Sequence, residues 1–173
     1  MKSDPTMEEA KSPVKDTVAK DDLKELLHSP KPDFNQIADK LMNYYKLKTP
    51  DGMEYRICEI EFYFKDDGAH NDTFTHCDPT QQTCGKWYMH RLNPKNRMSF
   101  KGGTYKGMDL SFGGEGNHGG ILIRAVQSLT NPVTYIEGPC NTLSMILKAN
   151  GVEDCRDMKL KSWPHHDGDA FDP

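Results

Sequence analysis

Glu61 stands in the run Ile60-Glu61-Phe62-Tyr63-Phe64. A carboxylate among aromatic side chains loses hydration, which raises its pKa unless a cation compensates. That is how a general acid or base is tuned toward neutral pH. On the solvated face of an edge strand, the same residue would carry no chemistry. Arg124 poses the matching question inside Ile121-Leu122-Ile123-Arg124-Ala125-Val126. A guanidinium cannot shed its charge, so in an apolar strand it requires an acidic partner or a polar cavity. Glu59 or Glu61 on a neighbouring strand meets that need, as part of a reactive site or as a structural salt bridge.

Two further groupings invite a chemical reading. From Thr80 to Met108 there are six basic residues, Lys86, Arg91, Lys95, Arg97, Lys101 and Lys106, and no acidic ones, in a chain of net charge −4. Trp87, Tyr88, Phe100 and Tyr105 are interleaved with them. Cations with aromatics suit a phosphate backbone and unstacked bases, although a basic surface loop has the same composition. His70, His76, Cys77, Cys84 and His90 are clustered, but no C-x-x-C pair is present, and ordinary loop residues explain them better than a zinc site. No phosphate-loop motif occurs, and the Asn71-Asp72-Thr73 sequon reads as chance.

The elements that must position these groups follow from periodicity. Leu23, Leu26 and Leu27 predict a short helix over 19–28, stopped by Ser29-Pro30-Lys31-Pro32. Asp33 or Asn35 opens a second helix with Ile37 and Leu41 on one face. Asp51-Gly52 predicts a hairpin into a strand over 53–64. Strict alternation there puts Tyr55, Ile57, Glu59, Glu61 and Tyr63 on one face, and Arg56, Cys58, Ile60, Phe62 and Phe64 on the core face. Further strands are expected over 86–90 and 105–112, and Gly119-Gly120 is followed by a buried strand over 121–126. Gly138-Pro139 opens a last helix bearing Leu143, Ile146 and Leu147, and Asn150-Gly151 ends it.

At 173 residues the chain has room for one domain, expected over 19–160. The charged, proline-containing segment 1–18 and the polar segment 161–173 are expected as flexible tails. Hydrophobic residues make up 35% and charged residues 28%, and the charge balance excludes a generally basic nucleic-acid coat. No apolar run reaches the roughly 18 residues of a membrane helix, and the first residues hold no secretory signal. Five cysteines, Cys58, Cys77, Cys84, Cys140 and Cys155, then read as mostly reduced thiols in a nuclear or cytoplasmic protein.

The order of these features resembles the methylpurine (alkyladenine, or 3-methyladenine) DNA glycosylase family. Arg56-Ile57-Cys58-Glu59-Ile60-Glu61-Phe62-Tyr63 is similar to that family's R-x-V-E-x-E-A-Y strand, and His70 follows at a slightly shorter spacing. Ile121 to Val126 is similar to its V-L-I-R-A strand, and Gly138-Pro139 with Leu143 and Leu147 to its G-P helix. The resemblance covers residues 33–158. It implies an α+β fold, a curved and mainly antiparallel sheet with flanking helices. It implies excision of alkylated or damaged purines by water attack on the N-glycosidic bond, in base excision repair, without metal or organic cofactor. Glu61 then matches the general base and Arg124 the arginine that holds the water. Tyr63 and His70 match residues lining the flipped-base pocket, and Tyr105 the aromatic wedge. Lys86, Arg91, Lys95, Arg97, Lys101 and Lys106 are assigned to the DNA backbone, and DNA, duplex or single-stranded, is the implied partner of a monomer. The chain departs from the family in a shortened hairpin at Lys101–Met108, in Phe112-Gly113 standing near the family's pocket asparagine, and in lacking the strands after the G-P helix. The alternative is therefore a catalytically degenerate module of the same fold that binds nucleic acid or a nucleotide.

Overall fold

The computed structural model describes residues 21–130 and 132–160; the tails expected at 1–18 and 161–173 lie outside the described residues. Two helices open it, α1 (Asp21–Leu27) and α2 (Phe34–Asn43). Leu23, Leu27, Ile37 and Leu41 are their buried residues. Asp33 is the cap of α2: its Oδ1 accepts from the backbone N–H groups of Asn35 and Gln36 at 3.1 and 3.0 Å. These are donors the first turn would otherwise leave unpaired.

Strand β1 (Lys46–Lys48) turns at Asp51-Gly52 into β2 (Glu54–Asp66), with Gly52 at φ +84°. The remaining strands are β3 (Trp87–Met89), β4 (Met108–Ser111), β5 (Asn117–Ser128) and β6 (Tyr135–Glu137). All pairings are antiparallel, in the order β1-β2-β5-β4-β3, with β6 on a further stretch of β5. The result is a single small α+β domain whose sheet curls into a half-barrel. Helix α3 (Pro139–Ala149) starts after Gly138 at φ +88° and ends at Asn150, where Gly151 takes φ +65°. Helix α4 (Cys155–Leu160) follows. Leu143, Ile146 and Leu147 of α3 join Ile37 and Leu41 of α2 in one apolar core with Ile57, Phe64, Ile121, Ile123 and Val126 of the sheet.

The alternation expected along β2 does not run through. Ile57 pairs with Val126 and Ile60 with Ile123, and all four belong to or pack on the core. Between these two core pairs β2 carries two residues, Cys58 and Glu59, and β5 carries Arg124 and Ala125. Regular pleating allows one, so each strand holds an extra residue and switches faces there. Tyr55 and Ile57 therefore belong to the core, contrary to the strict period, together with Ile60, Phe62 and Phe64. The irregularity sits where the charges are: it sets Glu59 and Glu61 beside Arg124.

Strand β5 is twice as long as the apolar run announces, because Gly119-Gly120 belongs to it. The reason is close approach. A Cβ on Gly120 would stand 2.5 Å from Asp109 Oδ2 and 2.8 Å from Gln81 Nε2. Glycine within a strand often marks such a crowded backbone. Strand β4 is shorter than expected, and Tyr105 lies instead in a short 3-10 turn, Gly103–Tyr105.

Candidate active site

One face of the sheet carries the core and the other is polar. On the polar face Arg124 binds two carboxylates: its Nε donates to Glu59 Oε1 at 2.9 Å, and its Nη1 donates to Glu61 Oε2. Tyr63 completes the group, its hydroxyl donating to Glu61 Oε1 at 2.9 Å. The Tyr63 pKa is raised well above the usual phenol range, first by burial and then by the hydrogen bond to Glu61, so the hydroxyl keeps its proton and acts as a donor. The paired carboxylates hold the Arg124 guanidinium above its ordinary pKa, Glu61 contributing most. Water still reaches the group: the side chains of Arg124, Glu61 and Glu59 are 37%, 40% and 55% exposed.

A second polar group fills the other half of this face. His90 Nε2 and Asp109 Oδ1 are 2.6 Å apart, and Gln81 Nε2 donates to Asp109 Oδ2 at 3.3 Å. Arg91 Nη1 donates to Asp78 Oδ2 at 2.6 Å, and the Arg91 guanidinium lies over the rings of Tyr88 and Phe100. Asp78 also caps the short helical turn Pro79–Gln82. His76 bridges outward, with Nδ1 3.0 Å from the Tyr88 hydroxyl and Nε2 2.9 Å from Lys101 Nζ. Lys101 donates, so His76 Nε2 must be unprotonated and its Nδ1–H points at Tyr88. Burial, followed by the charges of His90 and Lys101, lowers the His76 pKa to about 4, consistent with that neutral tautomer.

The other residues expected at the site fall in several places. Tyr105 is 80% exposed. Its turn is tied to the start of α3 by the Cys140 thiol, which donates to Gly103 O at 3.1 Å. Thr142 of the same helix donates to Arg124 O at 3.4 Å, so one helix terminus anchors both Tyr105 and Arg124. His70 is not brought to Tyr63. Its ring packs edge-on against Phe64 and Phe34, with centroids 5.6 and 5.9 Å away, at the rim of the apolar face. The loop folds that way because Asp66 Oδ1 accepts from the backbone of Gly68 and His70. Phe112, near the resemblance's missing asparagine, stacks on Phe64 in the core. Among the cations assigned to a DNA backbone, Lys95 and Arg97 are exposed, and Lys86, Lys101 and Lys106 are partly buried. Arg91 requires a correction: its side chain is 4% exposed and paired with Asp78, so it is a core ion pair with no reach to a phosphate.

Asp109 and Gln81 were not singled out from the sequence, and His76 and His90 were weighed only as metal ligands. The available signal was Asp109 itself, an acidic residue between Met108 and Leu110 in a short buried strand. Among the described residues no group of three or more His, Cys, Asp or Glu side chains could hold a metal ion. A cleft of about 310 Å³ opens at the far end of β2 and β5, lined by residues that include Lys65, Asp67, Cys77 and His118. Glu61, Tyr63 and Arg124 do not line it. Among the described residues no helix is long and apolar enough to cross a membrane.

No known protein family matches the chain, and no solved structure does. The uncharacterized protein L759 of Acanthamoeba polyphaga mimivirus is 40% identical to it over 128 residues, an alignment that takes in 66% of this chain. The chain spans little more than half of that relative, 56% of its length.

Proposed function

We propose that this protein is an N-glycosidic bond hydrolase of the methylpurine DNA glycosylase type, releasing alkylated or damaged purines from DNA. The observation that carries the reading is the contact between Glu61, Tyr63 and Arg124, residues drawn from two strands and 63 positions apart at the extreme.

A carboxylate offers about four lone-pair sites on two oxygens. Tyr63 and Arg124 take one on each oxygen, and the half-exposed carboxylate keeps room for a water. The guanidinium and the phenol hold Glu61 in one orientation. Purine departure leaves an oxocarbenium-like sugar, which a nearby carboxylate stabilises electrostatically. Glu61 then takes the proton of the attacking water, and Arg124 fixes that water through the same carboxylate. An extruded nucleotide requires an aromatic face beside this group, and Tyr63 supplies one. Tyr105, projecting from its turn, is the side chain suited to fill the gap left in the base stack. The exposed Lys95 and Arg97 lie on the same long connection between β3 and β4 and suit phosphate contact.

The test is release of free purine from an alkylated oligonucleotide, by wild type and by Glu61→Gln. Glutamine keeps the size and one acceptor but cannot take a proton. Release by wild type with a loss of at least ~10²-fold in the variant is the expected result. Wild-type protein that binds the oligonucleotide without releasing any base would replace the enzyme by a binding module.

A further inference from the structure

Glu59 takes no part in the steps given to Glu61 and Arg124, yet both strands are distorted where it stands. It pairs with Ala125, while Ile57 before it pairs with Val126 and Ile60 after it with Ile123. The register therefore shifts at Glu59 and returns at Ile60, passing over Cys58 on β2 and Arg124 on β5. Irregularities of this kind re-aim side chains and are common beside active sites. Here the result is that two carboxylates of one strand reach a single guanidinium on the next.

Stability does not account for the second carboxylate. The Glu59 side chain is 55% exposed and that of Arg124 37%, and a solvated ion pair of this kind contributes little. Orientation does account for it. A guanidinium is planar and carries its donors in a rigid fork. A contact at Nη1 alone leaves that plane free to pivot about Glu61. The second contact, from Nε to Glu59 Oε1 at 2.9 Å, fixes both the direction of the fork and its rotation. Its remaining nitrogen, Nη2, has no partner among the described residues, and with the other two held it keeps one direction.

We propose that Glu59 is a positioning residue for the hydrolytic step: by holding Nε it presents Arg124 to Glu61 and to the attacking water in a single orientation. This rests on the hydrolase reading above. Glu59 itself touches neither the sugar nor the water. A second base would need a carboxylate at this position, whereas a positioning group needs only an acceptor for the Nε hydrogen. The amide oxygen of glutamine is such an acceptor, and alanine offers none.

The test is single-turnover release of 7-methylguanine from a methylated oligonucleotide by wild type, Glu59→Ala, Glu59→Gln, Arg124→Gln and the double variant Glu59→Ala/Arg124→Gln. The maximal rate of Glu59→Ala should fall about 10- to 10²-fold, with the half-saturating oligonucleotide concentration changed less than about threefold. Glu59→Gln should recover to within about threefold of wild type. The double variant should be no more than about threefold slower than Arg124→Gln, because Glu59 acts only through the guanidinium. Equal losses in the alanine and glutamine variants would make Glu59 a base, and losses that multiply in the double variant would give it a contact of its own; either overturns the proposal. The Arg124 Nε–H signal in a nitrogen–proton correlation spectrum reads the same contact without activity. It should be sharp in wild type and Glu59→Gln, and broadened by exchange with water in Glu59→Ala. An equally sharp signal in Glu59→Ala would overturn the proposal. Absence of any release by wild type would overturn the hydrolase reading, and the Nε–H signal would then decide by itself whether Glu59 holds Arg124.

Discussion

The polar face of the sheet holds two ion-pair groups, each an arginine held by carboxylate, and they behave differently because one is wet and the other sealed. Arg124 with Glu59 and Glu61 is more than a third exposed throughout. Arg91 with Asp78 is 4% and 0% exposed. In the sealed pair nearly every polar site is used. Asp78 accepts from Arg91 and Thr80, and its backbone N–H is matched by Gln81. Arg91 Nε alone has no partner among the described residues. In the wet pair the carboxylates keep free lone pairs toward solvent. Charges sealed in this way fix structure and are costly to break, while a solvated pair adds little stability and stays available to react.

Breaking the sealed half should cost most. Gly113→Ala would place a Cβ 1.8 Å from the Gln81 carbonyl oxygen and 2.7 Å from Gly119 N, backbone atoms that cannot step aside. We expect failure to fold, or a loss of more than about 4 kcal/mol by denaturant titration. Arg91→Met should lose about 3–5 kcal/mol by leaving the Asp78 carboxylate buried and uncompensated. Unchanged melting of that variant would show the pair to be open to water.

Acid is a gentler probe of the same region. The His76 pKa falls from 6.5 to about 4 in the folded chain. Between these values the unfolded chain takes up a proton that the native ring refuses, so stability falls as pH drops through this window. For this partly buried ring the loss is about 1 kcal/mol once solvent screening is allowed for. His76→Gln should flatten the pH dependence of the melting midpoint across that window, and an unchanged slope would assign the acid sensitivity elsewhere. The wet half should respond least in stability. Arg124→Gln is expected to shift it by under about 1 kcal/mol, yet to slow purine release at least ~10²-fold. A large destabilisation with parallel loss of release would make Arg124 a structural residue.

What could be read from the sequence divides along the same line. The first three helices followed from local rules, with Asp33 or Asn35 opening α2, of which Asp33 is the cap, and Gly138-Pro139 opening α3; α4 was not expected. The pairing of Arg124 with Glu59 or Glu61 followed from the cost of a guanidinium in an apolar strand, and the structure answers the open choice with both. The face switch at Cys58-Glu59 was hidden, because an extra residue in each of two partner strands leaves the register on either side unchanged. The sealed half was hidden too. His90, Asp109, Asp78 and Gln81 come together only through loops and a long connection, and no spacing rule reports that. Arg91 read as surface for the same reason: a cation in a basic, glycine-rich stretch carries no mark of the buried carboxylate waiting thirteen residues earlier.

The most direct test is single-turnover release of 7-methylguanine from a methylated oligonucleotide, comparing wild type with Glu61→Gln at equal folded concentration. The account predicts release by wild type and a loss of about 10²-fold or more in the variant, with both melting within a few degrees of each other. Equal release by the two proteins would contradict it, since the carboxylate would then have no part in the chemistry.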